Sequence, residues 1–265
     1  MLKILTQGVL VIALSLNVAF AFELKGSAAE KGLAIAQESE RRNTGWQDSR
    51  ATMKMTLKNK AGDTSERDIS IKSLEVEDDG DKSLTVFNSP RDVKGTAFLS
   101  FSHAVTPDEQ WLYLPALKRV KRIASKNKSG PFMGSEFAFE DLSSFEVEKY
   151  TYNYLGTEQV NGLDCYKSEL TPAYKHSGYS KTIAWIDQEE FRIQKIEYYD
   201  RKKKLLKTQT FHDYKKYLDQ FWRAHKMVMT NHQVGKSTEL LWSDYQFRTG
   251  LNDKDFNKNS LKRAR

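Results

Sequence analysis

The residues that could do chemistry are few. The five histidines are His103, His176, His212, His225 and His232, and none stands in a His-x-x-x-His or His-Glu-x-x-His spacing. A metal-ligand pair on one helix face is therefore missing. Cys165 is the single cysteine, which excludes an intramolecular disulfide and fits a lone buried thiol. No Gly-x-Ser-x-Gly elbow and no phosphate-cradling glycine loop occurs. Glu140-Asp141 is an adjacent carboxylate pair with the right chemistry for proton transfer. Neighbouring acids in a loop more often form turns or salt bridges, and that is the reading adopted. No enzyme activity, metal or cofactor is expected.

What remains is suited to apolar binding. Trp111 to Ile123 reads as a strand, a turn marked by Pro115 and a second strand. Pro131 to Leu142, Pro-Phe-Met-Gly-Ser-Glu-Phe-Ala-Phe-Glu-Asp-Leu, follows as a loop of large apolar side chains with no helical or strand period. Apolar loop residues need cover, either from the protein's own core or from a ligand. Both stay open for Trp111, Tyr113, Leu114, Phe132, Met133, Phe137 and Phe139, the candidates for lining or lidding a cavity. Lys118, Arg119, Lys121 and Arg122 are candidates for docking on an anionic membrane or an acidic partner. Their plainer reading is a solvated strand face.

The elements around this stretch are mostly strands. Glu23 to Arg42 carries a loose apolar stripe of helical period and ends at Asn43-Thr44-Gly45. Ala51, Met53, Met55 and Leu57 then alternate with polar residues, the period-two sign of a half-buried strand. Short apolar strands separated by turns recur to Phe247, including the Asn161-Gly162 hairpin signal and a strand of alternating tyrosines after Phe145 and Val147. The tail from Asn252 is polar and basic and reads as loose. So many strands with one helix must bury their apolar faces in a closed barrel, a sandwich or an open curved sheet. The residues alone do not choose among the three.

The first 21 residues read as a secretory leader. Lys3 precedes an apolar run from Val9 to Leu16, and Ala19-Phe20-Ala21 is a small-x-small cleavage site. The run is short for a span of about 20 residues, so cleavage after Ala21 is expected. Residues 22–265 then form one exported, periplasmic domain that is not an integral membrane protein. Lys+Arg is 42 against Asp+Glu 35, a net charge of +7 that becomes +6 once Lys3 leaves. Such a charge favours anionic partners. Export makes those lipid head groups or an acidic protein surface, and no nucleic acid.

Trp111 to Leu142 resembles the outer-membrane lipoprotein-sorting (LolA-like) family. The resemblance extends upstream to Pro90–Leu99 and downstream to Asn161-Gly162, Trp185-Ile186-Asp187 and Lys195–Asp200. Glu136 and Phe139 replace the family's usual Asp and Tyr. Lys203 replaces a usual Gly, which suggests a less tight turn. The resemblance implies a mainly β fold of the LolA/LolB type: an open antiparallel half-barrel of about eleven strands, with the N-terminal helix and a short helix or loop over its concave face. It also implies a periplasmic carrier that takes the acyl chains of a lipoprotein or other amphiphile between inner and outer membrane. Its partners would be an inner-membrane transporter of the resistance-nodulation-division (RND) or ABC type and an outer-membrane acceptor. The branch resembled is associated with RND-type exporters, so a lipid-sensing or accessory subunit of such an exporter is the alternative.

Overall fold

Alternation sets the strands. In β1 (Asp48–Lys58) Ala51, Met53 and Met55 are buried, while Thr52 and Lys54 between them are exposed. The computed structural model describes residues 22–259 and 261–264; the leader expected at 1–21 lies outside them. β1 is followed by β2 (Thr64–Leu74), β3 (Lys82–Ser89), β4 (Ala97–Phe101), β5 (Glu109–Leu114) and β6 (Arg119–Ile123). After a long crossover come β7 (Tyr150–Val160), β8 (Leu163–Pro172), β9 (Tyr179–Asp187), β10 (Ile193–Asp200), β11 (Leu205–Tyr217), β12 (Phe221–Asn231) and β13 (Lys236–Phe247).

These thirteen strands form one antiparallel sheet in the order β6-β5-β4-β3-β2-β1-β13-β12-β11-β10-β9-β8-β7. β6 and β7 are its two free edges, so the sheet is open, as the resemblance implies, with thirteen strands rather than about eleven. Phe145 and Val147 do not belong to a strand. Phe145 is exposed, and Val147 opens a short 3-10 turn, so β7 starts only at Tyr150.

The helix α1 (Ala28–Arg42) begins five residues later than Glu23. Ser27 is its N-cap: its hydroxyl accepts the Glu30 N–H at 3.3 Å, and the Glu30 carboxylate accepts the Ser27 N–H at 2.7 Å. This capping box closes two orphan donors and fixes the start. Ile35 and Ala36 are buried against the sheet. A Cβ on Gly32 would sit 3.0 Å from the Tyr152 side chain and 3.1 Å from the Asn153 nitrogen, so the glycine lets α1 lie close on β7.

The turn after β10 stays tight despite Lys203. Asp200 N–H donates to Lys204 O at 2.9 Å and Lys203 N–H to Asp200 O at 2.8 Å, with Lys203 itself held at a φ of +61°. The lysine takes the left-handed conformation instead of loosening the turn, which costs about 1–2 kcal/mol.

The C-terminal segment is a strap and not a loose tail. Leu251, Phe256 and Leu261 are buried and pack on the face of β3–β5 turned away from α1, with Leu84, Val86, Leu99 and Trp111. Asp253 pairs with Lys82 at 2.6 Å. That face carries its own apolar row and needs cover, which the polar composition of the tail concealed. Replacing Phe256 with Ala should cost about 3–5 kcal/mol in urea unfolding; a loss under about 1 kcal/mol would mean that the strap is not part of the core.

Candidate functional site: an apolar cavity under the helix

The inward-facing side chains of the sheet do not all meet a partner. Between α1, the crossover 124–149 and the sheet lies a cavity of about 1330 Å³. This exceeds the ~300–1,000 Å³ usual for small-molecule pockets. Met53 and Met55 of β1, Ile196 of β10, Met227 of β12, and Leu240 and Trp242 of β13 form its apolar wall. Ile35 and Ala36 of α1 close it from above. The strand residues of this wall are held by ladder hydrogen bonds.

The crossover supplies Phe132 and Phe137. Both line the cavity and both are also core, 1% and 3% exposed. The Phe132 ring lies 5.8, 5.2 and 5.5 Å from those of Phe87, Phe98 and Phe139. Phe132 N–H donates to Phe137 O at 2.7 Å, and the chain reverses through Met133 and Gly134, both at positive φ. Met133, Phe139 and Leu114 pack half-buried on the same core but stand outside the cavity wall.

Trp111 and Tyr113 are not at the cavity. They alternate with Leu112 and Leu114, so when those face inward, Trp111 and Tyr113 face outward and lie among the strap residues. The same parity divides the basic strand. Arg119 and Lys121 pair in register with Leu114 and Leu112, whereas Arg122 pairs with Trp111 and reaches Glu109 on the outer face at 3.0 Å. Lys118 sits in the left-handed turn between the strands. The four cations are exposed but do not share one face.

A buried ion pair seats the crossover. Lys207 of β11 meets Asp141 at 2.6 Å, with the two side chains 4% and 3% exposed. Lys207 also donates to Glu136 O at 2.9 Å, and Asp141 accepts from Tyr179 Oη at 2.7 Å and from Ala138 N–H at 2.7 Å. Glu140 accepts from Tyr174 Oη at 2.6 Å, from Gly178 N–H at 2.8 Å and from the Ser177 hydroxyl. Glu140-Asp141 is thus a structural pair, in line with its salt-bridge reading. Farther along, Asp108 holds both Lys128 and, at 2.7 Å, Lys149. Cys165 is buried and its thiol is pushed up to about 11 by desolvation, which makes it inert.

Lys207 and the strand residues of the wall escaped the sequence reading. Their signal was present: Lys207 and Gln209 are polar residues at inward-facing positions of a strand, where a cation must find a partner.

Asp81 stands at one end of the cavity wall. Burial, reinforced by the nearby Glu146 carboxylate, pushes its carboxyl up to about 7 against an accepting bond from Val76 N–H. Glu146 is raised as well, chiefly by burial.

The fold and cavity define the class: an open half-barrel of the LolA type with an apolar interior. A family profile described as an uncharacterized protein matches residues 79–263. A domain from Vibrio parahaemolyticus, described as an outer membrane lipoprotein-sorting protein domain, is 63% identical with a TM-score of 0.87, over 88% of this chain and 99% of its own. A DUF1329 family protein from Desulfovibrio piger is 30% identical with a TM-score of 0.84, over 89% and 100%. A LolA superfamily protein from Nitrosomonas europaea shares the fold at 20% identity and a TM-score of 0.69, over 88% and 99%. No curated protein matches the chain. The chain therefore belongs with the outer membrane lipoprotein-sorting protein domains and, with the Desulfovibrio relative, to the DUF1329 family; with the LolA superfamily protein it shares the fold. Among the described residues no helix is long and apolar enough to cross a membrane.

Two measurements test this account of the site. Lys207→Met leaves the Asp141 charge buried without its partner and should cost about 3–5 kcal/mol in urea unfolding; a loss below about 1 kcal/mol would show that the crossover is seated by packing alone. Asp81 has the opposite linkage from a paired carboxylate. Its folded form holds the proton more tightly than the unfolded chain, so its contribution is fully favourable below pH 4 and is lost as pH rises towards 7. Asp81→Asn should gain stability relative to the parent over that interval and keep the gain above it. A stability difference that does not change with pH would refute the raised carboxyl.

Proposed function

We propose that this protein is a periplasmic carrier that takes up the acyl chains of a lipoprotein or a similar amphiphile in the cavity under α1. The observation that carries the reading is an apolar space of about 1330 Å³ walled by rigid strands in a sheet that stays open at its edges. An acyl chain is worth about 0.8 kcal/mol per buried CH₂, so passage through water needs such a shelter. The Vibrio relative, described as a lipoprotein-sorting domain, supports the same reading. Export with loss of residues 1–21, and action of 22–265 as one carrier domain, belong to this proposal. So do an inner-membrane donor and an outer-membrane acceptor.

The reading is of carriage and not catalysis. The acids around the crossover are engaged in seating it: Asp141 with Lys207, Glu140 with Tyr174, and Asp108 with two lysines. Release requires an opening. The two elements that cover the cavity are α1 and the crossover.

Phe132 and Phe137 are too deeply embedded to serve as clean probes, because their removal would destabilise the core. Ile196 and Met227 are half-buried and face the cavity. Ile196→Trp and Met227→Trp fill it from the wall and should each weaken binding of a fluorescent 16-carbon acyl probe at least about tenfold (about 1.4 kcal/mol) while circular dichroism is retained. Native mass spectrometry of the mature protein should reveal a co-purifying acylated species. Unchanged acyl binding in both variants would move the function to a protein-docking accessory role.

A further inference from the structure

An antiparallel meander sends alternate turns to opposite ends of the sheet. The turns at 59–63, 90–96, 115–118, 173–178, 201–204 and 232–235 gather at one end. Contacts join neighbours along this rim. Gly235 lies against Lys60, Gln233 donates to Asp200 at 3.0 Å, and Gly95 approaches Pro115. The turns at 75–81, 102–108, 188–192 and 218–220 gather at the other end. There Asp79 bonds His103 at 2.8 Å, Glu75 holds Gly45 N–H at 2.7 Å, and Arg42 donates to Glu189 O at 2.6 Å.

The two rims have opposite charge. The first holds nine cations: Lys60, then Arg91 and Lys94, then Lys118, then Lys175, then the Arg-Lys-Lys-Lys run of 201–204. Only Asp63 and Asp92 oppose them in these turns. All nine are exposed, and within the described residues none forms an ion pair within 4.0 Å. The second rim holds nine acids, five of them in the single turn 75–81, against Arg192. Arg41 and Arg42 at the end of α1 join it, but both are tied to Glu38.

The cavity reaches both rims. Asp81, Val105, Asp108, Glu190 and Asp219 of the acidic rim line it, and so do Tyr174, Lys175 and His176 of the basic one. The crossover tip covers the part of the basic end where Arg67 donates to Met133 O.

We infer that the basic end docks on an anionic lipid surface. Nine cations without an ion pair, distributed over five turns, match a surface of spread negative charge. Each lysine or arginine near such a surface strengthens attachment about fivefold. Opposite charge on the far rim turns the molecule as it approaches, because the membrane repels the acidic rim. Leu117 and Val234, 66% and 48% exposed at the tips of two turns of this rim, can enter the head-group layer. The acidic rim has exposed apolar tips too, Val105 and Leu218, so charge and not apolarity selects the docking end. Two of the cations, Lys118 and Lys203, are held at positive φ, where an uncharged glycine would be less strained.

The test is flotation of the mature protein with vesicles of phosphatidylglycerol in phosphatidylcholine, against phosphatidylcholine alone. Binding should need the anionic lipid and disappear in about 1 M salt, where the screening length is about 3 Å. The triple variant Lys202→Glu, Lys203→Glu, Lys204→Glu should bind at least tenfold more weakly. A control with the same charge change away from the rim, Lys126→Glu, Lys254→Glu, Lys258→Glu, should bind as the parent does. Orientation is read with an environment-sensitive dye on Lys203→Cys or Asp78→Cys, since native Cys165 is buried. The dye should brighten on vesicles at 203 and not at 78. Absence of vesicle binding, equal loss in the control, or brightening at 78 would overturn the inference. Acyl-probe binding in the rim variants stays at the parent's level, so a failure of docking is separable from a failure of the carrier reading.

Discussion

The Lys207–Asp141 pair is the constraint on which the interior depends. An open sheet of thirteen strands has a concave face far too large for one fifteen-residue helix to cover. The crossover must cover the rest, and an irregular segment has no ladder to hold it there. A buried cation on β11 and a carboxylate on the crossover supply the attachment, and Tyr179, Ala138 N–H and the Glu136 carbonyl satisfy their remaining capacity. Leaving either charge alone would be far costlier than the pair is favourable. The pair therefore acts as a positional lock. Phe132 and Phe137 are thereby set against Phe87 and Phe98 at one end, and the rest of the cavity is left unfilled.

The sequence reading reached the strands because period two is a local signal. It reached the Asn161-Gly162 hairpin for the same reason: both residues take positive φ, which these two types tolerate. It did not place side chains on faces. Trp111 and Tyr113 looked equivalent to Leu114 within one motif, yet strand parity puts them on opposite sides. The choice among barrel, sandwich and open sheet rests on which strands pair across long separations. β1 with β13 is the deciding pair, and no local pattern specifies it. Ser27-x-x-Glu30 was a readable helix start that the apolar stripe overshadowed. Lys207 and the strap residues Leu251, Phe256 and Leu261 show the general limit. A lysine or a leucine in a polar setting signals burial only once its partner is known.

Topology then turns a scattered charge list into a field. Read along the chain, the run at 201–204 and the acids at 75–81 are ordinary turn chemistry, exposed and polar. In a meander whose turns alternate between ends, they become opposite poles of one molecule. The net charge of +7 conceals this, because it averages a strongly basic end with an acidic one.

The acidic end also bears on how the cover is held. Acids there raise one another's proton affinity, and Asp81, Glu146 and Glu40 are all raised, each chiefly by burial. Glu40 lies on the last turn of α1, and its like-charged neighbour is Glu148 of the crossover. Where the carboxyls are protonated, the helix end and crossover lie together without repulsion. Where they ionise, that repulsion acts at the junction that covers the cavity, while the Lys207–Asp141 lock holds the rest of the crossover in place. The cover is thus electrostatically weakest where the end of α1 meets the crossover, and strongest where the buried Lys207–Asp141 pair seats it.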